Sequence, residues 1–461
     1  MNTRFLVRTI LLAAAVAATS ASAADLGAVY QRALANDPII REAEANRRAS
    51  RESRPQALAA LLPQVNATGS YEDGDSKGSS TFFQPDPFAV FTRDTQRDFE
   101  RTNWQVQLRQ NVFSWQNWAA LRRASAEVAQ AEADYLAAQQ DLILRTSEAY
   151  FNVLAAQDAL ESAEAAHNAI GRQLEQSEKR FEVGLIAVTD VQEAKAAFDS
   201  ATATLIQAKR NLATTGERLR ELTGDTFDEL SKPDNQMPLA APNPANPEDW
   251  VRRAMEQNAR LISSRLAADI TRHNVSSERG GHLPSLDLVV SRSDFDSEAT
   301  LLSGGFSGPD NSDSESTVVS LQVTVPIFSS GATSSRVRQA EFRHIAARER
   351  LERTARETER ETRDAYLGVS SEMARVQSLK QAVESARTAL QATEAGYEVG
   401  TRTSVDVLDA RRRLFEAETN YSRSRYDYLL NVLRLRLAAG TLDAQGLTEI
   451  NALLTESVRV R

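Results

Sequence analysis

Two short stretches concentrate the side chains able to do chemistry. Residues 181–194 read "FEVGLIAVTDVQEA", and residues 397–410 read "YEVGTRTSVDVLDA". Each holds a glycine in a short polar turn, Gly184 or Gly400, followed by a helix that opens beside an acid. Asp190 and Ser404 stand at helix starts, where acids and hydroxyls are favoured as caps and by the helix dipole. Capping explains Asp406 and Asp409 less well. They lie three apart on one helical face, with no basic residue until Arg411. None of these carboxylates has a histidine or a metal motif beside it. No Gly-rich phosphate loop, zinc motif or nucleophile elbow occurs elsewhere, so the sequence reads as a protein that is not an enzyme and needs no cofactor.

Composition narrows the field further. The 461 residues include no cysteine, which excludes disulfides, thiolate metal sites and a lipid-bearing N-terminal cysteine. The four histidines are not at ligand spacing, so no metal site is expected. A net charge of −9 argues against nucleic acid as a partner. Residues 1–23 read as an export signal: Arg4 and Arg8, then the apolar "LLAAAVAA", then "ASA" before a mature start near Ala24.

The elements that must position the two turns are themselves written twice. "ALANDPIIREAE" at 33–44 aligns with "AMEQNARLISSR" at 254–265, and "LLPQVNA" at 61–67 with "HLPSLDL" at 282–288, both at an offset of 221. The two turns follow at an offset of 216. Each repeat, 24–231 and 248–440, runs helix, strand pair, long helix, short turn, second helix. The strand pairs are expected at 63–113 and 284–328, the long helices at 117–182 and 333–398, and the second helices at 189–222 and 404–438. A Pro-rich linker, 232–247, separates the repeats, and a tail follows from 441 to 461. Each long helix would run roughly 100 Å at 1.5 Å per residue. Val191, Phe198, Leu205, Leu212 and Leu219 recur every seven residues, as do Val407, Leu414, Tyr421, Tyr428 and Leu435. Rows of this kind signify coiled-coil packing against neighbouring helices.

The strands alternate. Trp104, Val106 and Leu108 face one way and Gln105, Gln107 and Arg109 the other; Val319, Leu321, Val323 and Val325 oppose Ser320, Gln322 and Thr324. Polar loops are expected at 74–101 and 296–316. Such strands fit a half-buried soluble sheet or a transmembrane barrel, and the export signal and the lack of any apolar helix favour the barrel. Four strands cannot close one, and open edges in lipid leave backbone groups unpaired. Partner copies are therefore needed, two or three in number.

Four segments carry a resemblance: "AYFNVLAAQDAL" at 149–160, "RFEVGLIAVTDVQEA" at 180–194, "GHLPSLDL" at 281–288 and "AGYEVGTRTSVDVLDA" at 395–410. Through them the chain resembles the TolC-type outer-membrane efflux protein family (the outer membrane factors) over nearly its whole mature length. The resemblance implies a mainly α fold with a membrane β-barrel: a homotrimer whose twelve-stranded barrel sits in outer-membrane lipid and continues as a twelve-helix tunnel across the periplasm. It implies an exit duct for efflux and type I protein secretion, serving an inner-membrane pump or ABC transporter through a periplasmic adaptor. It further implies that the two turns are the closed periplasmic mouth, latched by Tyr397 and Arg402 to Thr189 and Asp190. Asp406 and Asp409 would line an acidic constriction, and Glu193 would add to it where the family has a neutral amide. Lys179 replaces a glutamine that the family uses as a further latch partner. The turn tips, Val183, Gly184 and Leu185 with Val399, Gly400 and Thr401, match adaptor-docking positions. A periplasmic adaptor or a coiled-coil scaffold is the rival reading, but an adaptor would have one hairpin, not two hairpins and two amphipathic strand pairs.

Overall fold

The computed structural model describes residues 23–84, 89–234, 237–303 and 305–460. The expected leader, 1–23, lies outside them except for its last residue. The first repeat comprises α1 (Leu26–Asn36), α2 (Pro38–Arg51), α3 (Ser53–Ala59), β1 (Gln64–Gln84), β2 (Ala89–Phe113), α4 (Trp115–Glu182), α5 (Val188–Thr223) and β3 (Glu229–Pro233). The second comprises α6 (Pro247–Gln257), α7 (Ala259–Gly280), β4 (Ser285–Ser303), β5 (Phe306–Pro309), β6 (Ser312–Thr324), α8 (Ala332–Glu398) and α9 (Ser404–Ala438). The tail adds α10 (Ala444–Asn451) and β7 (Leu454–Arg459). The chain divides into two compact units, a sheet-bearing one of 43–136 and 259–357 and a helical one formed by the remainder.

The long helices and both turns fall where the sequence puts them, to within two residues. The opening helix of each repeat does not run unbroken. Pro38 has no backbone N–H and forces the preceding residue out of the helical region. Asp37 is accordingly extended (φ −62°, ψ 121°), and its carboxylate accepts from the Ile39 N–H at 3.2 Å. The second copy breaks at the equivalent Asn258 (φ −64°, ψ 118°) without a proline. There the Asn258 amide donates to the Ala438 carbonyl at 2.9 Å, while Asp37 pairs with Arg145 at 2.8 Å.

In the sheet unit, β1, β2, β4 and β6 lie side by side and antiparallel, with β5 added at the end of β4. Register places Val65 opposite Leu108, Leu108 opposite Val290 and Val290 opposite Val319, an apolar row across all four strands. In the next row Asn66, Gln107 and Ser291 are polar, and only Val318 of β6 is apolar. Among the described residues both outer edges, β1 and β6, lack a neighbouring strand, and Val65, Val319, Leu321 and Val323 are each more than 60% exposed. The expected loops at 74–101 and 296–316 are a correction. Most of each is strand, because Lys77 pairs with Gln96 and Glu100 with Glu298 in continuing ladders.

In the helical unit much of the heptad rows is buried: Leu212, Leu219, Val407, Leu414, Tyr428 and Leu435 are interior, while Val191, Phe198, Leu205 and Tyr421 are half-buried. Ala194, Ala201 and Thr215, each three positions beyond a member of the first row, are buried as well. Tyr150, Phe151 and Leu154 of α4 and Tyr426, Leu429 and Leu433 of α9 are all buried, and Phe151 stacks on Tyr426 at 5.8 Å. The Pro-rich stretch is not a free linker. Lys232 and Pro233 belong to β3, Pro247 opens α6, and the buried Tyr428 hydroxyl both donates to the Ala240 carbonyl and accepts its N–H, each at 2.9 Å. The tail also packs. β7 pairs antiparallel with β3, and Ala24 forms a parallel bridge with Leu230. Among the described residues no helix is long and apolar enough to cross a membrane.

Candidate functional site: the hairpin turns

The turns joining α4 to α5 and α8 to α9 are the same structure twice. Gly184 and Gly400 have φ of 77° and 80°, the left-handed conformation in which an L side chain is strained. The N–H of Gly184 donates to the Phe181 carbonyl and that of Leu185 to the Arg180 carbonyl, both at 2.8 Å. In the second turn Gly400 donates to Tyr397 (3.1 Å) and Thr401 to Gly396 (2.8 Å). These are Schellman caps, which satisfy the last carbonyls of each long helix. A Cβ on either glycine would meet nothing within 4 Å. Val183, Leu185 and Val399 are 70–76% exposed, so each turn ends in an open apolar tip.

The helices leaving the turns are capped differently. Thr403 is the N-cap of α9: its hydroxyl accepts the Asp406 N–H at 3.2 Å, and Asp406 Oδ2 accepts the Thr403 N–H (2.9 Å) and hydroxyl (3.0 Å). This is a reciprocal capping box. The expectation that Ser404 caps the helix and that Asp406 stands apart from capping is therefore corrected. Ser404 is the first helical residue, and its buried hydroxyl has no hydrogen-bond partner among the described residues. The bonds from Thr403, with the nearby Arg402 charge, hold the Asp406 carboxyl below its ordinary pKa. Its Oδ1 takes no part in the box. At the start of α5 the cap position is Ala187, so only half a box forms, with Asp190 Oδ2 accepting the Ala187 N–H at 3.3 Å.

The four residues expected to form the latch lie at these turns, but among the described residues no hydrogen bond or ion pair joins Tyr397 or Arg402 to Thr189 or Asp190. The Tyr397 hydroxyl is buried without a hydrogen-bond partner, and Arg402 is exposed and makes no ion pair among the described residues. Lys179 is held on its own helix by Glu175 at 2.6 Å. That bond raises the lysine pKa and lowers the glutamate's. Asp409 pairs with Arg412 at 3.3 Å, whereas Glu193 is exposed. Leu408, next to Asp409, packs with Ile170 and Ala201, bringing α9 against α4 and α5.

Two further residues belong to this region and were not singled out from sequence. Arg411 ties three helices: it pairs with Glu394 of α8 at 2.7 Å and donates to the Ala169 carbonyl of α4 at 3.4 Å. Arg180, at the end of α4, lies over the Tyr397 ring with its guanidinium carbon 5.0 Å from the centroid. The signal for Arg180 was its alignment with Gly396 across the duplication, a position where the copies differ in both size and charge.

Comparison with known proteins accords with this architecture. The outer membrane efflux protein family matches residues 29–225 and 250–441. The outer membrane protein TolC of Vibrio cholerae is 37% identical over 430 residues, 93% of this chain and 94% of that protein. The alkaline protease secretion protein AprF of Pseudomonas aeruginosa is 31% identical, covering 92% and 86% of the two chains. Among solved structures, the CmeC outer membrane channel of Campylobacter jejuni superposes with a TM-score of 0.72 at 18% identity, over 93% of this chain and 90% of that one.

Proposed function

The chain belongs to the outer membrane efflux protein family, and on that premise we propose that it is an outer-membrane exit duct gated at its hairpin turns. It is an outer-membrane protein that serves efflux and type I secretion and works with adaptor proteins and pumps. The observation that carries the assembly is the sheet. Four strands with an apolar face and two unpaired edges cannot rest in lipid alone, where each unpaired backbone group costs several kcal/mol. Three copies supply twelve strands and room for a lumen, with twelve hairpin helices forming the tunnel. The rival readings, adaptor and scaffold, leave these two edges and their exposed valines without a purpose.

The mouth is closed by Tyr397 and Arg402 acting on Thr189 and Asp190. Arg402 forms no ion pair among the described residues, and Asp190 keeps acceptor capacity beyond its bond to Ala187. A guanidinium can bond a hydroxyl and a carboxylate together. Asp190 of a neighbouring copy is therefore its natural partner, and bonds to charged groups of about 1.5–3 kcal/mol each suit a lock that must also open. Asp406, Asp409 and Glu193 form the acidic constriction, and the tips at 183–185 and 399–401 receive the adaptor.

Expression in a strain lacking such a duct tests the proposal. A heat-modifiable trimer in the outer-membrane fraction, with efflux restored, is expected. A soluble periplasmic monomer would refute it.

A further inference from the structure

The two copies of the turn each carry one arginine, at different places. Arg180 aligns with Gly396, and Arg402 aligns with Ile186. Arg402 stays on its own turn: its N–H donates to the Gly396 carbonyl at 3.2 Å, and its stem lies against that glycine. Arg180 instead leaves its helix and covers the Tyr397 ring at 5.0 Å, joining the end of α4 to the end of α8. No acid competes for it, since it forms no ion pair among the described residues. The adjacent cation, Lys179, is already neutralised by Glu175. A guanidinium over a phenol ring is attracted to the negative face of the π system, and that attraction does not need the hydroxyl. The hydroxyl itself is buried without a hydrogen-bond partner among the described residues.

We propose that Arg180 is a positioning residue of the closed mouth, holding the second turn to the first through the face of the Tyr397 ring. The inference rests on the gate described above and assigns the tyrosine's part within a protomer to its ring rather than its hydroxyl. The backbone of Arg180 has a second duty, because its carbonyl accepts the Leu185 N–H that closes the first turn. A partner that shifts the tip at Val183–Leu185 therefore moves the main chain that carries this guanidinium, which gives docking a route to release.

Single-channel recording of the full-length trimer in planar bilayers tests the assignment, with every variant compared at equal trimer yield from the outer membrane. Arg180→Gln and Tyr397→Leu should each lower the ratio of closed to open states by about 2- to 30-fold. The double variant should open no further than the stronger single one, the non-additivity expected of residues in contact. Tyr397→Phe should restore closure relative to Tyr397→Leu. Equal opening by the Phe and Leu variants would overturn the assignment and give the link to the hydroxyl. Multiplying effects in the double variant would overturn it too. If Arg402→Ser opens the channel while Arg180→Gln does not, this inference fails and the gate stands. If neither Arg402→Ser nor Tyr397→Leu changes the recordings, the gate itself fails.

Discussion

Gly396 carries the stem of Arg402: a methyl group on this glycine would stand 2.7 Å from the arginine Cγ and 3.4 Å from its Cβ. The second turn can therefore fold its arginine back against the end of α8 only because that helix carries a glycine two residues before its last, Glu398. Gly396→Ala should improve α8 by about 1 kcal/mol in intrinsic helix propensity, yet displace Arg402. We expect a channel that resists thermal unfolding at least as well as the parent but shows raised conductance, as Arg402→Ser should. Unaltered conductance in Gly396→Ala would show that the placement of this stem is irrelevant to closure.

The capping box at the start of α9 makes a second prediction. Thr403→Ala removes both the hydroxyl that accepts from Asp406 and one of the donors to its carboxylate, at a cost of about 1 kcal/mol. Hydrogen exchange at the amides of residues 404–406 should quicken while the core of α9 keeps its protection. The pH dependence follows from the lowered Asp406 pKa. A depressed carboxyl contributes its full stabilisation above the ordinary aspartate range, and that contribution is lost as pH falls through the lowered value. The start of α9 should thus stay protected at mildly acidic pH and fray only below it.

A third prediction separates the two uses of the tip glycines. Asparagine tolerates the left-handed conformation better than other side chains, and the space around Gly184 and Gly400 is open. Gly184→Asn and Gly400→Asn should therefore keep the fold and the single-channel conductance. If the tips also receive an adaptor, the added side chains should abolish export in cells and co-purification of the adaptor. Full export by both variants would leave these glycines with the turn alone.

Much of this was legible in the chain because duplication and periodicity are local signals. Pro63 and Pro284 mark the entries to the strands, the sevenfold rows mark the packed faces of α5 and α9, and the repeated Val-Gly marks the turns. The reach of the strands was not legible, since 74–101 mixes Asp, Ser, Gly and Pro with aromatic residues and shows no sustained alternation, and its strand portions owe their extension to the ladder beside them. The Thr403–Asp406 box is written as a Thr-x-x-Asp pattern, but the Asp406–Asp409 spacing, which puts both acids on one helical face, is the stronger local signal. Arg180 and Arg411 were missed for a different reason. Each acts on another helix, and which helix lies opposite is decided by hairpin packing rather than by neighbours in the chain.

The acids proposed for the mouth are not equivalent. Asp409 shares its charge with Arg412 at 3.3 Å, and Asp406 commits one oxygen to the cap, whereas Glu193 is exposed and makes no ion pair among the described residues. In a water-filled mouth a single carboxylate should change the local cation concentration by roughly a few-fold, an effect that salt screens within about 10 Å at 0.1 M. Glu193→Gln should therefore reduce cation selectivity and weaken block by divalent cations, and Arg412→Gln should do the opposite by releasing Asp409. Both changes should fade in 1 M salt. Reversal potentials under a salt gradient read the two signs directly. If Glu193→Gln leaves selectivity and divalent block unchanged at low salt, Glu193 does not face the lumen, and the acidity of the mouth rests on the aspartates alone.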